Sequence, residues 1–186
     1  MFSKIITETE RSEQTSAFHI SFLLTSVILI YYIMTKFGTR FFTPEQTALF
    51  NEYYHDNKLA SLFVDHLFVL AYLSIAMLIL HYVIKSPLKD KLNLNTIILA
   101  VLIIIVTTVV LDYCIALRVR NYSGSNKIVN FFKRWASAAG YKAVVWDIVY
   151  LLTIFFVALI LMKYNIHNNT IAVALFFTLF LMHILA

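Results

Sequence analysis

The sequence predicts an all-α membrane protein, a bundle of about five transmembrane helices forming one integral domain over residues 1–186. Hydrophobic residues make up 61% of the chain and charged residues 13%, against roughly 45–50% and about 25% in soluble domains. The apolar residues also occur in long unbroken runs, which indicates that they face lipid. Every glycine and proline lies between these runs, so we expect straight helices.

Each apolar run must be helical, because an unpaired backbone group is too costly in hydrocarbon and no run alternates like a barrel strand. The five predicted spans are residues 17–35, 60–84, 96–117, 143–162 and 170–186. The last is short, covering roughly 25 Å at 1.5 Å per residue. A four-span protein with a buried C-terminal helix is therefore the alternative.

Two connections are predicted to be amphipathic helices lying on the membrane surface, over residues 44–57 and 126–139. Thr43 can cap the first with Gln46 as its capping-box partner, and Pro44 suits the first helical position. Gly140 is a suitable stop for the second. The residues of the second helix expected at the membrane surface are Lys127, Lys133, Arg134 and Trp135.

Both amphipathic segments fall on the same side of the membrane, here called side B, and this side carries the larger share of Lys and Arg. The positive-inside rule places side B in the cytoplasm and the N-terminus outside. The net charge of +5 favours anionic lipid headgroups as partners. Nucleic acid is excluded because no soluble segment is long enough to present a basic face. Tyr141, Trp146 and Tyr150 fit an aromatic belt on side B.

Asp65, Asp112 and Asp147 lie inside three different spans, each about four or five residues from the end on side B. At 1.5 Å per residue this puts all three at roughly 6–8 Å depth. His66 and His183 lie near the same side. Helical spacing places Tyr72, Thr108 and Tyr150 on the aspartate faces. Since buried charges normally face the bundle interior or a cavity, these residues predict a polar site that opens toward side B.

Structural ion pairs are the competing interpretation of the same aspartates. Lys142 lies close to Asp147 in sequence, and Arg118 or Arg120 follows Asp112. Asp112 has the greatest need for a cation, because it lies near a helix C-terminus, where the dipole disfavours negative charge. A shared proton or a bound cation would serve the same purpose.

The sequence indicates no particular cofactor, metal or catalytic residue. No potential ligand pair has the i, i+3 or i+4 spacing of a recognised metal motif. The single cysteine, Cys114, excludes an intrachain disulfide. The bias toward Ile, Asn, Tyr and Lys over Ala, Gly and Pro is typical of an AT-rich genome, as in a virus or a protist.

Three classes of function fit these features. The first is a structural or scaffolding membrane protein that organises lipid or a partner through its basic surface helices. The second is a small proton- or cation-conducting protein, working as a homo-oligomer, that uses the aspartate level as its site. The third is a membrane-embedded, metal-dependent enzyme acting on a lipid headgroup.

Overall fold

The computed structural model describes residues 41–53, 57–84 and 93–163, and these residues contain helices and short turns but no strand. They form five α-helices: α1 (Pro44–Asn51), α2 (Asn57–Ile84), α3 (Leu94–Arg120), α4 (Lys127–Ala139) and α5 (Tyr141–Lys163). The predicted all-α class is confirmed. The predicted spans 17–35 and 170–186 lie outside the described residues.

Three of the helices are long and apolar enough to cross a membrane, at Phe63–Ile84, Leu94–Arg120 and Tyr141–Ile160. Their mean hydropathies are 2.4, 2.8 and 2.5. At 1.5 Å per residue they are about 33, 40 and 30 Å long, against a hydrocarbon core of about 30 Å. They correspond to the predicted spans 60–84, 96–117 and 143–162, and they are consistent with a membrane protein.

Helix α3 buries small and medium side chains and exposes large apolar ones, the reverse of a soluble helix. Its buried face consists of Thr96, Ala100, Ile104, Thr107 and Thr108. Its exposed face includes Leu94, Ile98, Leu102, Val106, Val110 and Leu117. Small residues allow close helix packing in membranes, and α3 packs along α2. The apolar outer face is suited to lipid.

The chain divides into two compact units, one of them Thr39–Leu152. This unit contains α1 to α4 and the first half of α5. Residues 153–163 of α5 belong to the second unit, where Ile154, Phe155 and Ala158 are fully buried. The polar site described below lies wholly within the Thr39–Leu152 unit.

Helix α1 begins with the predicted capping box. The Gln46 amide nitrogen donates to Thr43 Oγ1 at 3.3 Å, and the Thr43 amide nitrogen donates to Gln46 Oε1 at 2.9 Å. Pro44 occupies the first turn, as expected. Gln46 also joins α1 to α4, because its Nε2 donates to the Ala138 carbonyl at 2.6 Å.

Helix α4 has a defined beginning and end. Asn126 caps its N-terminus by accepting from the amides of Ile128 and Val129. It stops at Gly140, which has φ 55° and ψ −130°, a conformation that only glycine adopts without strain. The predicted stop is confirmed, and α5 begins at the next residue.

The apolar faces of α1 and α4 pack against each other through aromatic rings. Tyr53 stacks on Phe131 with ring centroids 4.4 Å apart, and Phe50 lies 6.0 Å from Trp135. Protein therefore covers Trp135 and leaves only 9% of it exposed, and its location at the membrane surface stays a prediction. The three basic residues predicted beside it are exposed: Lys127, Lys133 and Arg134.

An ion pair joins the outer faces of the same two helices. Arg134 donates to both carboxylate oxygens of Glu52, with 3.1 Å between Nη1 and Oε2. The hydrogen bond from Arg134, with its positive charge, lowers the pKa of Glu52. Both side chains are about half exposed, 52% and 41%, so solvent screens most of the attraction.

We expect Thr43→Ala to lower the free energy of unfolding by about 1 kcal/mol, the usual cost of losing an N-cap side chain. Thr47→Val is the matched control, since the buried Thr47 hydroxyl has no hydrogen-bond partner among the described residues. Chemical denaturation in detergent micelles measures both. Equal losses in the two variants would contradict the assigned cap.

Glu52→Gln should lower the free energy of unfolding by at most about 1 kcal/mol at neutral pH and low salt, the range for exposed pairs. Because folding lowers the pKa of Glu52, the pair stabilises the fold above the unfolded-state pKa. This contribution is lost as the pH falls through the folded-state pKa. The difference between variant and wild type should therefore disappear in acid and at high salt.

Glu45→Gln is the control for this measurement, since Glu45 is exposed on the same helix. Because Glu45 lies in the first turn of α1, its loss reports the helix dipole alone, about 0.3–1 kcal/mol, and it should not depend on Arg134. A deficit of Glu52→Gln that persists in acid would show that the carboxylate charge is not its cause.

Candidate functional site

A cavity of about 400 Å³ lies in the Thr39–Leu152 unit, with walls from all five helices and Tyr53. Ten of the 23 residues that line it are aromatic. The charged residues among them are Asp65, Asp112 and Asp147, and no Lys, Arg or His is in this lining. The three predicted aspartates therefore share one cavity.

Asp65 lies on α2 and receives a hydrogen bond from outside that helix. The Tyr53 hydroxyl donates to Asp65 Oδ1 at 3.0 Å and lies 3.3 Å from the Ser61 carbonyl oxygen. Burial, followed by the negative charge of Asp65, raises the pKa of Tyr53. The hydroxyl therefore stays protonated and remains a donor at any physiological pH.

Asp112 lies near the C-terminal end of α3 and is held by α2. The Tyr72 hydroxyl donates to Asp112 Oδ1 at 2.5 Å. The other oxygen, Oδ2, is buried and has no hydrogen-bond partner among the described residues. One oxygen of this carboxylate thus accepts a hydrogen bond, and the other has no donor among the described residues.

Asp147, in the first half of α5, is half-buried. Within the described ranges its side chain makes no hydrogen bond and no ion pair, and the charges that act on it are those of Asp112 and Asp65. The surroundings of Asp147 are therefore electrostatically unfavourable for a carboxylate. Carboxylates that share a cavity of low polarity disfavour one another's ionised form unless a positive charge compensates them.

The basic residues expected to neutralise the aspartates contact other groups or are exposed. Lys142 Nζ donates to the Phe41 carbonyl at 2.7 Å and lies 5.6 Å from the Phe41 ring centroid. Arg118 and Arg120 are exposed and form no ion pair within the described residues. The reason is helical geometry, because residues five, six or eight positions apart do not share the neighbouring positions of i+3 and i+4 pairs.

Some of the remaining predicted site residues line the cavity, and others lie outside its described lining. Tyr72 and Tyr150 line the cavity, as their spacing indicated. Thr108 does not, since its hydroxyl donates to the Ile104 carbonyl of its own helix at 2.7 Å. His66 is half-buried and outside the described lining, and His183 lies outside the described residues.

The three residues of the predicted aromatic belt all lie on α5. Tyr141 is 75% exposed, as a belt residue would be. Trp146 and Tyr150 instead line the cavity, and Trp146 lies 5.9 Å from Phe50, ring centroid to ring centroid. A residue near a span end can line the cavity and also lie at the depth of the belt, so the belt stays a prediction.

Sequence reasoning did not include Tyr53 in the site, nor the aromatic wall from α4. Phe131 and Phe132 line the cavity beside Tyr53. The sequence signal for these residues is the apolar face of each predicted amphipathic segment, which the pattern alone assigns to lipid. A hydroxyl on such a face needs a partner when protein covers it, and this would have pointed from Tyr53 toward the aspartates.

Within the described ranges, no three His, Cys, Asp or Glu side chains are arranged to hold a metal ion together. The three aspartates line one cavity without forming such a group. This arrangement gives no support to the metal-dependent enzyme among the three functions considered.

Comparison with known protein families, with curated proteins and with solved structures finds no match to this chain. The structure thus defines a helical protein with three membrane-compatible helices. Its function has to be inferred from the cavity.

We expect Tyr72→Phe to lower the free energy of unfolding by about 1.5–3 kcal/mol, the usual value of a hydrogen bond to a charged group. Tyr113→Phe is the control, since Tyr113 is 65% exposed on α3 and should change stability by less than about 0.5 kcal/mol. Combining Tyr72→Phe with Asp112→Asn should give a loss smaller than the sum of the two. Strict additivity would show that the two groups do not interact.

Proposed function

We propose that the chain is a multi-spanning integral membrane protein that binds a proton or a cation at the three-aspartate cavity, as a small conducting protein does. The arrangement that we propose has five spans, with residues 17–35 and 170–186 forming the first and last. The pair of α1 and α4 lies at the membrane interface on side B. Side B faces the cytoplasm, and the protein works as a homo-oligomer.

The observation that carries this proposal is the sign of the charge around the cavity. Its described lining holds three carboxylates and no cationic side chain. A single charge near the bilayer centre costs about 2.5–3.5 kcal/mol on insertion scales, and like charges together cost more. Asp112 Oδ2 and Asp147 have no partner among the described residues, and they are best explained by an exchangeable positive charge that compensates them when it is bound.

The depth of the aspartates supports a site that exchanges with water. Asp65, Asp112 and Asp147 are two, eight and six residues from one end of the apolar helices that carry them. At 1.5 Å per residue these distances are about 3, 12 and 9 Å. A cation could therefore reach all three from one membrane face without crossing the apolar centre first.

The scaffolding function remains the second candidate, and the outer face of α4 favours it. Lys127 and Lys133 are exposed there beside Arg134. Basic residues at an interface attract anionic headgroups by about 1 kcal/mol each. This candidate explains the basic surface but leaves the acidic cavity without a role.

The test is cation and proton flux in liposomes that contain the 186-residue chain. We expect the wild type to conduct, and Asp112→Asn or Asp147→Asn to reduce the flux by about tenfold or more, equal to about 1.4 kcal/mol of lost binding. Glu45→Gln, which removes a carboxylate outside the cavity, should leave the flux unchanged. Far-UV circular dichroism and gel filtration verify that each variant is folded.

Two outcomes would overturn the proposal. A wild type without any flux and without cation-dependent stabilisation would exclude it, and so would three single asparagine variants that conduct normally. If Lys127→Ala with Lys133→Ala then abolished binding to anionic vesicles, the scaffolding function would replace it.

A further inference from the structure

We propose that the physiological ligand of the aspartate cavity is an organic cation, a protonated amine that carries an apolar alkyl or aromatic body. This inference rests on the proposed function, since it assumes that the cavity takes a positive charge. It adds the chemical class of that charge. Size, wall composition, charge and hydrogen-bonding capacity each contribute to it.

The cavity is larger than an inorganic ion requires. Its volume of about 400 Å³ falls within the range of roughly 300–1,000 Å³ found for small-molecule sites. A metal ion also needs several ligands that converge on one point, and no three described acidic, His or Cys side chains do so. Volume and ligand geometry both favour an organic molecule.

The walls suit the apolar body of such a molecule and the positive charge beside it. Phe132, Trp135 and Trp146 border the cavity together with Tyr53 and Tyr150. Aromatic rings attract ammonium groups by about 0.5–2 kcal/mol through cation–π interaction. The rings also provide apolar contact, which a hydrated inorganic ion does not use.

The charges of the cavity select against anions and zwitterions. Its described lining has three carboxylates and no base, so a carboxylate or phosphate on the ligand would find no partner there. A phosphocholine headgroup is disfavoured for this reason, although its quaternary ammonium would suit the rings. The ligand class is therefore a simple cation and not a lipid headgroup.

The unpaired oxygen of Asp112 distinguishes a protonated amine from a quaternary ammonium. Asp112 Oδ2 is buried without a hydrogen-bond donor among the described residues, and Asp147 makes no hydrogen bond there. A protonated amine brings N–H donors to both carboxylates, whereas a quaternary ammonium brings none. An N–H donor is needed because leaving a buried acceptor unsatisfied costs about 1–3 kcal/mol.

The experiment uses 4-phenylbutylamine as the probe, with 4-phenylbutan-1-ol and 4-phenylbutanoate as uncharged and anionic analogues of the same body. Both tryptophans of the chain, Trp135 and Trp146, line the cavity, so their fluorescence reports binding directly. We expect saturable binding of the amine to the 186-residue chain in nanodiscs. The alcohol and the carboxylate should bind at least about tenfold more weakly, equal to about 1.4 kcal/mol.

Asp147→Asn is the decisive variant, because it removes no hydrogen bond within the described residues and should fold normally. It should weaken amine binding by about tenfold while leaving alcohol binding unchanged, a difference of about 1.4 kcal/mol. Asp112→Asn should do the same, and Glu45→Gln should bind as wild type. Dodecylphosphocholine added below its micellar concentration should not displace the amine.

The outcomes separate this inference from the proposed function. Equal binding of amine and alcohol, together with flux that depends on the aspartates, would overturn the organic cation and retain the inorganic one. Displacement by the phosphocholine would show a lipid headgroup site and would also overturn it. A wild type that shows neither flux nor amine binding would overturn both proposals.

Discussion

The stacking of Tyr53 on Phe131, with ring centroids 4.4 Å apart, joins two short helices that are distant in sequence, and the cavity depends on this contact. It directs the Tyr53 hydroxyl to Asp65. It also turns the aromatic face of α4 toward α2, where Phe132 lies 5.6 Å from Phe68, ring to ring. Without this pairing, α2, α3 and α5 would still form apolar helices, but three aspartates would lack a common enclosure.

Within that enclosure, Asp112 and Asp147 have carboxylate oxygens without a hydrogen-bond donor among the described residues. Two tyrosines donate, Tyr53 to Asp65 and Tyr72 to Asp112. Asp112 Oδ2 and Asp147 lack a donor within the described part of the chain. A structural cluster tends toward full satisfaction, because each buried unpaired group lowers stability. Carboxylate oxygens without donors that line one cavity are typical of a ligand-binding site.

The features that the sequence predicts well are local ones. Thr43 with Gln46, and Gly140, are correct because a cap depends on residues three or four positions away. The common level of the aspartates stays a prediction, since the three lie about 3, 12 and 9 Å from the ends of the apolar helices that carry them. Their partners are not predictable, because the Tyr72 donor to Asp112 is 40 residues distant and belongs to another helix. Sequence proximity favoured Lys142 for Asp147, and helical geometry directs that lysine elsewhere.

The same limit applies to the surroundings of Trp135, which packs against Phe50. A period of 3.6 residues identifies an apolar face but does not say whether lipid or protein covers it. Here α1 and α4 cover each other through aromatic contacts, and their residues form part of the aromatic wall of the cavity. Glu52, held by Arg134 at the outer surface, directly precedes Tyr53, whose hydroxyl reaches Asp65. Two adjacent residues at the end of α1 therefore bond in two directions, Glu52 to α4 at the outer surface and Tyr53 to Asp65 at the cavity.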